Sequence, residues 1–184
     1  MQHGQYDLCN VTDGDKKHIA STCPDRKENH KGYMGLLNSL AEAGIIAVSI
    51  DAYDLLSKHP NDIMSHSYMS QRALLFDEHI NYLKTANLPF NPDFDRLALG
   101  GHSRGAAAAY NAAKKHNANA LLAIAPSGLE EGFTGLFSDI FTIVGSADND
   151  VVDFWAYQLY SNNNYSTNKG LAYIRGANHN WFNS

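Results

Sequence analysis

Two patterns of apolar and polar positions alternate along the 184-residue chain. The runs 97–99, 120–125, 140–145 and 171–174 are apolar almost throughout, and so is Ile45-Ile46-Ala47-Val48-Ser49-Ile50, which is rich in β-branched residues. Each run reads as a strand, and the last, where a strand with one wet face would alternate, suits a parallel strand covered on both faces. Between them lie stretches of helical spacing. Tyr33, Leu36, Leu37, Leu40 and Ala41 form one, with Gly44 placed to end it, and Met69, Ala73, Phe76, Ile80 and Leu83 form a longer one over about 65–86. An alanine-rich segment predicts a helix over about 104–116, and 153–161 predicts a short one. Strands alternating with helices predict an α/β fold, a mostly parallel central sheet flanked by helices, in a single domain over 1–184.

The remaining stretches are loops. Residues 1–31 are polar, with a turn signal at Asp13-Gly14-Asp15, and 51–64 contain His59-Pro60-Asn61-Asp62. Residues 87–95 hold two prolines and connect the long helix to the run at 97–99, whereas the glycine-containing stretch 126–138 is expected to line a site. Both cysteines, Cys9 and Cys23, fall in the first loop. A disulfide between them would close a loop of about fifteen residues. It would also favour an oxidising compartment, extracellular or periplasmic. Asn10-Val11-Thr12 and Asn164-Tyr165-Ser166 have the form of glycosylation sequons. Charge acts mainly by exclusion: a net −5 without a basic block argues against a nucleic-acid partner, and no apolar run approaches membrane-spanning length.

The chemistry concentrates where the run at 97–99 meets the alanine-rich helix, at Gly101-His102-Ser103-Arg104-Gly105. Strand, G-x-S-x-G, helix is the context of a nucleophile elbow. A serine hydroxyl is a weak nucleophile and must stand where a histidine can take its proton, which demands a tight turn with small neighbours. The helix start directs backbone N–H groups and partial positive charge at a developing oxyanion. A base and an orienting carboxylate should follow on loops after later strands, because the strand ends of a parallel sheet share one edge. His179 follows the last strand and is the candidate base. Asp148 and Asp150 compete for the acid, with spacing from Gly145 and Val151 favouring Asp148 and the other aspartate expected to cap the helix near Asp153. For the oxyanion hole the candidates are the backbone N–H groups of Arg104 and of Gln5, the latter in His3-Gly4-Gln5-Tyr6. Tyr6, His102 and Trp181 are the candidate substrate contacts, His102 being an elbow residue directed away from Ser103 rather than a second base.

These motifs, together with Gly32-Tyr33, Ala47 to Ala52, Gly145 to Val151 and Gly176-Ala177-Asn178-His179-Asn180, resemble the α/β-hydrolase superfamily. The likeness is to the branch that holds dienelactone-hydrolase-like, chlorophyllase-like and cutinase-like polyester-hydrolase esterases, and it spans most of the chain. It implies hydrolysis of a small-molecule or polymeric carboxylic ester through an acyl-enzyme, without metal or cofactor. Such enzymes carry strands before the His-Gly loop and a helix after the histidine loop. The expectation is therefore a chain trimmed at both ends, beginning at the oxyanion loop, with Met1 to Gly4 as the stub of a central strand between 45–50 and the elbow strand. A non-catalytic, hydrolase-like binding module is the competing reading. A metal-dependent hydrolase finds no support in the spacing of the nine histidines.

Overall fold

The computed structural model describes residues 1–4, 28–53, 55, 66–127, 139–151, 154–164 and 168–182. Within them, β1 (Ala98–His102), β2 (Ala120–Ile124), β3 (Asp139–Gly145) and β4 (Lys169–Ile174) form a sheet in that order, parallel throughout. The α-helices are α1 (Met34–Glu42), α2 (His66–Thr85), α3 (Arg104–His116) and α4 (Trp155–Asn162), with 3₁₀ turns at Asn29–Tyr33, Phe94–Arg96 and His179–Phe182.

Strand order that advances in one direction puts right-handed crossovers on one face of the sheet. There α3 lies across β1 and β2, with α2 packed on it, and α4 covers β3 and β4. The alanines of α3 explain its position: Ala106 to Ala109, Ala112 and Ala113 are all buried. Alanine favours the helix and lets its axis come close to the strands. The helix ends at Asn117, in the left-handed region with φ 50°, and Lys114, Lys115 and His116 in its last turn complement the dipole. In α2, Met69, Phe76 and Ile80 recur along the stripe that faces α3, and Asp77 on the same helix bonds Lys115 Nζ and, at 2.6 Å, His116 Nε2.

Register sorts the strand residues by face. Leu99, Leu121 and Ile140 align and belong to the core under the helices. Gly100, Leu122, Phe141 and Gly170 align on the other face, where Phe141 is 47% exposed. Ile174, of the same parity, is 41% exposed.

The segment 45–50 corrects the expectation of a strand. Ile45, Ile46 and Val48 are exposed, and pairing is confined to its end, where Ile50 bridges Gln2. β-branched residues make a strand only where another backbone supplies hydrogen bonds. Here the adjoining backbone is that of Met1 and Gln2, with Ile50 N–H donating to Met1 O at 2.8 Å. Gln2 also pairs with Gly101 on its other side, so residues 1–2 lie between Ile50 and β1 as expected. β1 itself runs beyond Leu99 to His102. Tyr53 and Leu55 are helical within the stretch read as loop. Cys9, Cys23, Gln5 and Tyr6 lie outside the described residues. Among the described residues no helix is long and apolar enough to cross a membrane.

Candidate active site

Ser103 sits between β1 and α3 with φ 56° and ψ −127°. A non-glycine residue there carries strain of order 1–3 kcal/mol and persists only when its surroundings over-determine it. They do so here. Ser103 N–H donates to Ile124 O at 2.9 Å, while Ser103 O accepts from Ala106 N–H at 2.9 Å and from Ser127 N–H at 3.2 Å. The flanking glycines are required by close approach. A Cβ at Gly101 would stand 2.2 Å from Gly105 O, and one at Gly105 would stand 2.2 Å from Gln2 O. Arg104, the first residue of α3, places its backbone N–H at the helix N-terminus beside Ser103.

The loops after β3 and β4 are laced together. Ala147 N–H donates to Ala177 O at 2.9 Å, Gly176 N–H to Ser146 Oγ at 2.8 Å, and a Cβ on Gly145 would strike Ala177 O at 2.1 Å. This contact sets Asp148 against His179, with Nδ1 and Oδ2 2.9 Å apart and side chains 8% and 2% exposed for His179 and Asp148. The other carboxylate oxygen of Asp148 accepts the N–H groups of Asp150 at 3.1 Å and Val151 at 3.0 Å. Three hydrogen bonds, one to Oδ2 and two to Oδ1, thus fix the orientation of the carboxylate. Asp150 contributes its backbone and not its side chain to this arrangement, nor does it cap α4, whose N-cap is Phe154 without a side-chain cap bond.

His102 is corrected as a substrate contact, because it is 0% exposed. Its Nε2 lies 2.7 Å from the backbone oxygen of His179 and must carry the proton there. The two rings stand 4.7 Å apart. Burial, then the neighbouring His179, pushes the His102 pKa down to about 3, so its ring is a neutral prop beneath the histidine loop. Trp181 lies in the 3₁₀ turn that starts at His179.

Two residues that sequence reasoning did not select, Ser127 and Arg72, also converge here, together with Gly4 of the His3-Gly4 stretch. Ser127, just past β2, places its Oγ 3.0 Å from Ser103 Oγ, and this is the bond the nucleophile candidate makes in place of one to His179. Its position after an apolar run ending at the same sheet edge was the available signal. Gly4 abuts the elbow: a Cβ there would lie 2.7 Å from Ser103 Cβ. Arg72, fully buried, donates from Nη2 to His3 O and, at 3.3 Å, to Gly4 O. A charge within the apolar stripe of Met69, Ala73, Phe76 and Ile80 was its signal. His3 is buried too; burial and then the Arg72 charge lower its pKa to about 4. A cavity of about 490 Å³ opens elsewhere, around Leu99, Leu121, Phe141 and Lys169 towards the strand starts, away from Ser103.

No protein-family model and no curated protein matches the sequence. Solved structures do share the fold. A protein of the alpha/beta hydrolase superfamily from Xanthomonas campestris pv. campestris superimposes with a TM-score of 0.56 at 15% identity, covering 79% of this chain and 78% of that one. An alpha-beta serine hydrolase homologue from Coxiella burnetii gives 0.51 at 20% identity, with 82% and 69% covered. A predicted CIB-like hydrolase from Thermoplasma acidophilum gives 0.49 at 16% identity, over 63% of this chain, which spans about half (53%) of that protein's length. The parallel four-stranded sheet flanked by helices is thus a fold shared with the Xanthomonas and Coxiella structures.

Proposed function

We propose that the chain is a serine hydrolase that cleaves carboxylic esters through an acyl-enzyme, without a cofactor. The observation that carries this reading is the buried Asp148–His179 pair, 2.9 Å apart, at the sheet edge where Ser103 is held at φ 56°. In this mechanism Ser103 Oγ attacks the ester carbonyl carbon and His179 Nε2 takes its proton, Nδ1 being committed to Asp148. The C–O bond breaks as His179 returns that proton to the leaving alcohol. Water then attacks the acyl carbon by the same proton transfers, releasing the acid and restoring Ser103. Asp148 stays ionised, orienting the ring and stabilising the imidazolium. The N–H groups of Arg104 and Gln5 receive the oxyanion, with Tyr6 and Trp181 beside the substrate.

For attack, Ser103 Oγ exchanges its bond to Ser127 for one to His179, a side-chain rotation; catalytic hydrogen bonds often tighten only in the substrate complex. A Cys9–Cys23 bridge would steady the segment that carries Gln5, and it suits a secreted protein. The test is labelling by a fluorophosphonate, which reacts only with an activated serine. Wild type should label at Ser103, and Ser103→Ala should lose both the label and about 10⁴-fold or more of ester turnover. The second reading, a hydrolase-like binding module, draws on the Ser103–Ser127 bond, which leaves the serine unactivated. An unlabelled wild type that still binds esters would favour it.

A further inference from the structure

We propose that Ser127 is a positioning residue for the nucleophile: its hydroxyl parks Ser103 Oγ in a resting rotamer turned from His179, so that losing the hydroxyl speeds the serine's reaction. This rests on the esterase reading above and adds a residue outside its triad.

The backbone that presents Ser127 is built for this contact. Ala125, the residue after β2, lies in the left-handed region at φ 40°, as Ser103 does after β1 at φ 56°. Alanine has no polar side chain to hydrogen-bond locally there, as asparagine does, so its surroundings impose the conformation. Ala125 N–H donates to Ile143 O at 2.7 Å, and Ala125 and Pro126 are both buried. The turn and the elbow are then joined three times. Ser103 N–H donates to Ile124 O at 2.9 Å, Ser127 N–H donates to Ser103 O at 3.2 Å, and the two Oγ atoms lie 3.0 Å apart. Strain held at two neighbouring strand ends, with a hydroxyl from each brought together, is what functional sites show.

The hydroxyl is separable from the rest of this turn. The backbone bond to Ser103 O uses the Ser127 N–H, a donor that every residue but proline supplies. What the Oγ adds is its bond to Ser103 Oγ. A serine side chain occupies one of three staggered wells about 120° apart. In the well seen here Ser103 Oγ faces Ser127, whereas attack needs the well in which it faces His179 Nε2. Whichever hydroxyl donates, the bond holds the nucleophile in the first well. His179 stays in place meanwhile, held at 2.9 Å by Asp148, so the rotamer of Ser103 is the adjustable part. Only the population in the second well reacts, and the observed rate scales with that fraction. A neutral hydrogen bond is worth a factor of about two to ten in such an equilibrium.

The test measures the second-order rate constant for fluorophosphonate labelling of Ser103 in the full chain, for wild type, Ser127→Ala, Ser127→Cys and Ser127→Thr. Each rate constant is taken from the time course, which reports the folded molecules; unfolded ones lower only the final extent of labelling. Ser127→Ala should label about two- to tenfold faster than wild type. Ser127→Cys, with a weaker hydrogen-bonding group of similar shape, should fall between the two, and Ser127→Thr, which keeps the hydroxyl, should stay near wild type. A merely structural Ser127 predicts the opposite sign, because a loosened elbow reacts more slowly. Labelling of Ser127→Ala where wild type stays unlabelled would show the same parking in its strongest form. Wild type that labels, with Ser127→Ala and Ser127→Cys no faster or with Ser127→Thr as fast as Ser127→Ala, overturns the role of Ser127 alone. No labelling of wild type or of any variant overturns the esterase reading and this inference with it.

Discussion

Asp148 and Asp150 stand two positions apart and differ in what surrounds their carboxylates. Asp148 turns inward, with one oxygen on His179 and the other on two backbone N–H groups, whereas Asp150 is exposed. Asp148→Asn should therefore lower kcat by about 10³–10⁴-fold, through loss of the ring's orientation and of imidazolium stabilisation. Asp150→Asn should stay within about twofold, and steady-state kinetics on both variants checks the difference. Spacing from Gly145 made Asp148 legible in the sequence, because that glycine is itself demanded by the contact with Ala177. Ser127 and Arg72 were not legible in this way. Their contacts with Ser103 and with His3 cross 24 and 69 positions respectively, and their local signals, a place just past an apolar run and a charge within an apolar stripe, name no partner.

Between elements, Asp77 joins the middle of α2 to the last turn of α3. Burial alone would raise its pKa, but the hydrogen bonds from Lys115 and His116, and their charges, bring it below the usual carboxylate value. A lowered carboxylate pKa contributes stability that is present above the unfolded value of 3.8 and lost as pH falls through the folded one. Asp77→Asn should destabilise the chain by about 2 kcal/mol, the scale of hydrogen bonds to charged groups. Urea melts at pH 7 should show the loss, which should shrink towards pH 3. Helices were readable to within a residue or two, since their period is local: 65–86 against His66–Thr85, and 104–116 as found. The run 45–50 was over-read as a strand because strand formation depends on a neighbour that its own sequence does not contain.

At the scale of the molecule, two neutral histidines are enclosed, His3 with a pKa near 4 and His102 near 3, both lowered chiefly by burial. A histidine whose pKa is depressed on folding takes up protons first in the unfolded chain. Its contribution is complete above the unfolded value of 6.5 and is lost as pH falls below it, levelling off near the folded values. By pH 5 the loss should be about 2 kcal/mol for each ring. Urea midpoints measured from pH 7.5 to 4.5 should fall steadily, and a flat series would contradict the burial of these rings. The exposed apolar side chains have a thermodynamic consequence of another kind. Phe141, Ile174, Ile45 and Ile46, each at least 41% exposed, already meet water in the folded state. The part already hydrated adds nothing to the heat-capacity increment on melting. Scanning calorimetry should give a value below the usual ~12–15 cal/mol/K per residue, and a stability curve flatter with temperature than that of a domain whose sheet is covered on both sides.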